Sequence, residues 1–246
     1  MLKKIFGLIA GASVPVANAQ VKSPPYEDAL FRQIAEKSKT DPLIGAKIGK
    51  KEILQRLLDA MKTERGVHVE SLLCVLGALA GYACQASVRA QAVARGLPET
   101  ALLVVAETKD GNTYYFGDNL NKPLAESQYS VWNLAGGGAQ QYGCNALPDV
   151  VGIFKYATET GGTPAFGKPR VPDGHAAHDL PINYVKALWP ALFPIIQKFC
   201  VNPEHWPILL ALSIQDAIGM GKQTLDPCIA LQIVMESAVP MSKVKL

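Results

Sequence analysis

The sequence predicts a mainly α fold: a single multi-helix domain over residues 23–246, built around a long buried central helix, with one β-hairpin at 101–117 and an N-terminal segment at 1–22. Three observations carry this expectation. Apolar residues recur at helical spacing through most of the chain. Ser71 to Val88 is an uncharged run of 18 residues inside a longer helical stretch. Only around Asp110-Gly111 do β-branched and aromatic residues flank a turn dipeptide.

The helices can be placed by their punctuation. Ser23-Pro24-Pro25 suits a helix start, and Tyr26, Ala29, Leu30 and Ile34 then share a face before Asp41-Pro42 interrupts it. Ile53, Leu54, Leu57, Leu58 and Met61 form an amphipathic stripe, with Gly66 as its stop. The central helix is expected from about Val67 to Arg95, with Glu70 in the first turn, where the dipole favours an anion. Gly96 and Pro98 end it. Because its middle is apolar on every side, other elements should surround it. The Gly77-x-x-x-Gly81 pair suits close helix contact, and a buried core helix is preferred over a membrane span.

The hairpin follows. Leu102–Thr108 and Thr113–Gly117 read as strands, and Asp110-Gly111 as a type I′ turn, so Thr108 should face Thr113 and Ala106 should face Tyr115. Two strands are marginal alone and need a helix or another edge. Further helices are expected near Ser127–Gly143, through Gly136-Gly137-Gly138, and from Pro148 to Gly161, with Val150, Val151, Phe154 and Ala157 inward. Three more should cover about Ile182–Phe199, Pro203–Gly219 and Pro227–Val239, the last two opened by Asn-Pro and Asp-Pro.

Composition narrows function more than it defines it. Apolar residues make up 49% and charged residues 18%, which excludes a disordered chain. The net charge of +3 is too small for a nucleic-acid surface. The five cysteines include no CxxC, which points away from a zinc ribbon and from a full disulfide framework. Gly136-Gly137-Gly138 lacks the spacing of a dinucleotide or phosphate loop, and there is no G-x-S-x-G.

The 21 residues from Gly161 to Pro181 hold four glycines and four prolines and are the strongest site candidate, because long loops in compact domains are often functional. His175, His178 and Asp179 have the spacing of metal ligands, with zinc as the metal they would suit. Lys168 and Arg170 could clamp a small anion. His68 and Glu70 open the central helix and would complete a metal site or a catalytic acid–base site if this loop folds over them. Cys144 has no basic neighbour to activate it.

Two functional readings follow. The first is a helical protein acting through self-association or a protein partner, with no required cofactor. Low charge and the apolar run from Trp206 to Ile214 leave surface for a two-fold homo-oligomer. The second is a metal-dependent hydrolase or small-anion-binding enzyme sited in the 161–181 loop. The apolar helical setting of Cys74, Cys84 and Cys228 suits free buried thiols and a cytoplasmic protein. Lys3, Lys4, the apolar stretch to Val16 and Ala17-Asn18-Ala19 give the alternative, export with cleavage after Ala19.

Overall fold

The computed structural model describes residues 25–108 and 111–246, so the leader-like segment at 1–22 lies outside the described residues. The elements run α1 (Pro25–Lys37), α2 (Ile44–Met61), α3 (Val69–Ala94), β1 (Val104–Glu107), β2 (Thr113–Phe116) and a short α4 (Asp118–Asn121). A π-helical turn (Lys122–Glu126) leads to α5 (Val131–Gln141), α6 (Val150–Glu159), α7 (Pro181–Phe199), α8 (His205–Gly221) and α9 (Pro227–Lys243).

α3 is the central helix, and every residue from Ser71 to Val88 is buried. It is long and apolar enough to cross a membrane, and its apolar window is wholly covered by the rest of the chain. The Gly77 and Gly81 pair explains how α9 lies so close. A Cβ on Gly77 would stand 2.5 Å from the Val234 carbonyl oxygen. One on Gly81 would stand 2.6 Å from the Ala238 carbonyl carbon. α8 packs against α2, α3 and α5, so Leu209, Leu210, Ala211 and Ile214 are fully enclosed within one chain. The Trp206–Ile214 run is therefore not left over for a partner.

Several local expectations are corrected. The hairpin pairs Ala106 with Tyr114 and Glu107 with Thr113, one residue off the expected register. The Thr108 N–H bonds the Asn112 carbonyl at 2.9 Å, so the loop is longer than two residues, and Gly111 takes φ +81°. The shift places Tyr114 and Tyr115 inward while β1 stays exposed. β2 also bridges Val244, which supplies the extra edge that a two-stranded ribbon needs. α9 runs to Lys243 rather than Val239, through Pro240, and the Gln85 amide donates to the Met241 and Val244 carbonyls at 3.0 and 2.6 Å. Val151 is 74% exposed, because Ile153 and Ala157 are the residues that α6 buries.

Cys144 and Cys228 form a disulfide, with Cα atoms 4.9 Å apart. The apolar helical setting of Cys228 points to a free thiol, and the disulfide corrects that expectation. The bond ties the loop after α5 to the first turn of α9, while Cys74, Cys84 and Cys200 are free and buried.

A candidate active site at the head of the central helix

The site begins with an unusual helix cap. His68 holds the N-cap of α3 in extended backbone, and its Nδ1 accepts the Ser71 N–H at 3.3 Å. An N-cap normally uses a short oxygen side chain. An imidazole here satisfies the same donor and leaves a second nitrogen to bond a carboxylate. That nitrogen, Nε2, lies 3.3 Å from Glu70 Oε2. The Ser71 hydroxyl is 2.9 Å from Nδ1. Because Nδ1 already accepts a backbone N–H, the proton is assigned to Nε2, which donates a hydrogen bond to the Glu70 carboxylate.

The 161–181 segment folds over this helix end. Arg170 pins it. The guanidinium meets the buried Glu236 at 2.9 and 2.7 Å and lies 4.0 Å over the Tyr156 ring. The Arg170 carbonyl accepts from Gln232 at 2.6 Å. Beyond that anchor, His175 Nδ1 reaches Glu70 Oε1 at 3.1 Å. The His178 N–H donates to Ser71 Oγ at 3.0 Å, and the His178 ring stacks on His68 with centroids 4.0 Å apart. Glu70 thus bridges His68 and His175, joining helix and loop.

Burial and charge tune these groups. Burial lowers the pKa of His68 and the neighbouring His178 adds to that, while Glu70 opposes both, so the ring is held below its usual value and is a neutral base at pH 7. Burial alone would push the Glu70 carboxyl up, but its own backbone N–H, His175 and His68 together hold it low. The Tyr184 hydroxyl shares a hydrogen bond with Ser71, and burial pushes its pKa up. His68, Glu70, Ser71, His178 and Tyr184 line a pocket of about 520 Å³, with Met61, Val67 and Val69 as its apolar wall and Arg65 on its rim. That volume suits a small-molecule ligand.

Four of the residues singled out in the sequence, His68, Glu70, His175 and His178, come together here. The others are placed differently. Asp179 lines the pocket, but its Oδ1 accepts from the Leu180 N–H and the Asn183 amide at 2.7 and 2.6 Å, which fixes the start of α7. His68 and His178 meet face to face, so their nitrogens do not converge. Among the described residues no group of three or more His, Cys, Asp or Glu is arranged to hold a metal ion. Lys168 is exposed, and the Arg170 charge is already neutralised by Glu236, so the two do not form an open anion clamp. Ser71 and Tyr184 were missed. Ser71 read as one polar residue in an apolar run, although the His-x-x-Ser spacing at a helix start was the signal that could have found it.

A groove of about 470 Å³ at the other end of α3 is bordered by Arg95, Lys122 and Glu204 but holds no comparable acid–base pair. No protein-family model matches the chain, and neither does any curated protein or any solved structure.

Proposed function

We propose that the chain is a hydrolase that acts on a small carbonyl substrate in the pocket at the head of α3, with His68 as general base and Glu70 as the residue that positions it. The observation that carries this reading is the hydrogen-bonded line from Ser71 Oγ through His68 to Glu70, at 2.9 and 3.3 Å. A base oriented by a carboxylate and aimed at a hydroxyl is the arrangement that acid–base hydrolysis needs. No metal enters the proposed chemistry, because His175 and His178 are engaged with Glu70 and His68 instead. The test is hydrolysis of short p-nitrophenyl esters by the purified chain. Turnover should fall on the acid side, at a pH below the ordinary imidazole range because burial holds the His68 pKa down, and His68→Gln should abolish it. Turnover that is unchanged in His68→Gln would reject the proposal.

Self-association is a second reading with one supporting observation: every residue of β1 is exposed, with Val104 and Val105 among the larger exposed apolar side chains. Light scattering across a tenfold dilution tests it, and a constant mass near 26.4 kDa would reject it.

We further propose that the chain folds in an oxidising compartment, as the alternative reading of residues 1–19 suggests. The Cys144–Cys228 disulfide supports this over a cytoplasmic location, where such bonds are rare. A mature protein beginning at Gln20 in the exported fraction of its native host is the expected result. Protein that keeps residues 1–19 in the cytoplasm would overturn it.

A further inference from the structure

We propose that Ser71 is a covalent nucleophile and that the substrates are small carboxylic esters, which Ser71 cleaves through an acyl-enzyme. This rests on the reading of His68 as general base and goes beyond it, since His68 could equally activate water. Three observations select Ser71. Its Oγ is the hydroxyl that faces the basic nitrogen, at 2.9 Å. It is nearly desolvated, at 2% exposure, yet forms part of the pocket wall. A further donor, the His178 N–H, meets the same oxygen at 3.0 Å.

The chemistry balances with these groups alone. Ser71 Oγ adds to the ester carbonyl carbon while its proton passes to His68 Nδ1. The carbonyl π pair moves onto oxygen, where the His178 N–H, beside the attacking atom, can bond the oxyanion. That pair then reforms the carbonyl, the ester C–O bond breaks, and the leaving alcohol takes the proton from His68. Water repeats the sequence on the acyl-serine, with His68 as base, and releases the carboxylic acid and free Ser71. Glu70 carries no proton; it steadies the imidazolium formed in each half. Met61, Val67 and Val69 provide an apolar surface for the acyl chain.

The test uses the unmodified chain and diisopropyl fluorophosphate, which phosphorylates an activated serine with loss of fluoride. Intact mass should rise by a single diisopropylphosphoryl group, and tandem mass spectrometry should place it on Ser71. His68→Gln should cut the labelling rate by about 100-fold or more. Mapping on the unmodified chain avoids relying on Ser71→Ala, which removes an acceptor from a buried N–H and could lower stability. His68-dependent ester hydrolysis without label on Ser71 would overturn the nucleophile and leave direct attack by water, so the proposed hydrolase would stand. Label on another serine would also overturn it. Absence of both label and hydrolysis would remove the hydrolase reading together with this one.

Discussion

Gly81→Ala examines the packing that positions everything else. A methyl group at this position would stand 2.6 Å from the carbonyl carbon and 2.7 Å from the Cα of Ala238 on α9. Carbon atoms in contact sit about 3.5–4.0 Å apart, so α3 and α9 must separate by about 1 Å. The obstacle is backbone, which no rotamer change can relieve. Overpacking of this kind costs about 1–3 kcal/mol, with the rigid case at the upper end or beyond. The preference of a helix for alanine over glycine returns about 1 kcal/mol, which leaves a net loss of about 2 kcal/mol. For a domain of this size that lowers Tm by about 4–8 °C. Gly137→Ala on α5 is the matched control. A Cβ there meets nothing within 4 Å, so the same change should stabilise by about 0.5–1 kcal/mol. Differential scanning calorimetry on both variants is the assay. A Gly81→Ala protein that melts with or above the wild type would show that α3 and α9 do not meet through this glycine.

Glu70→Gln should lower kcat/KM for ester hydrolysis by about 10–100-fold with little change in KM, since the carboxylate orients His68 without touching substrate. It should also move the acidic limb of the pH profile to lower pH, because Glu70 opposes the lowering of the His68 pKa; a limb displaced upward would contradict the assignment. Reduction of Cys144–Cys228, which spans 84 residues, should remove up to about 4.5 kcal/mol of stability and lower the urea midpoint, and an unchanged midpoint would count against the bond. Lys243 is 3% exposed against the Phe116 and Phe154 rings, and burial lowers its pKa to about 8. The unfolded chain therefore binds the extra proton between about pH 8 and 10.5, so Lys243→Met should be more stable than the wild type by about 1–3 kcal/mol at pH 7, an advantage that shrinks above pH 8. An advantage independent of pH would show that Lys243 titrates normally.

The periodic parts of the chain were the legible ones. A continuous apolar run such as Ser71–Val88 has one stable solution, burial on all sides, and the Asp226-Pro227 start of α9 is written in side chains that cap it at 2.7 and 3.2 Å. Features set by distant contacts were not legible. The hairpin register follows from burying Tyr114 and Tyr115 and from the bridge to Val244, which lies 130 residues away. The extension of α9 past Pro240 depends on Gln85, and the Cys144–Cys228 pairing depends on where α5 ends against α9. The site was half legible. His68, Glu70, His175 and His178 drew notice as chemistry-bearing types near a helix start or in a long loop. Their roles were not legible, because whether two histidines share a metal or stack on one another depends on how the loop folds over the helix end, a contact between residues 110 positions apart. Ser71 acquires a role only through its cap partner, a histidine three residues earlier.

The central claim is that His68 is a neutral base held between Ser71 and Glu70, and long-range proton–nitrogen NMR on histidine-labelled protein tests it most directly. The account predicts a His68 ring protonated on Nε2 alone at neutral pH, with Nδ1 bare toward Ser71, and a pKa below 6.5. A proton on Nδ1 at neutral pH, or a pKa above 6.5, would contradict it.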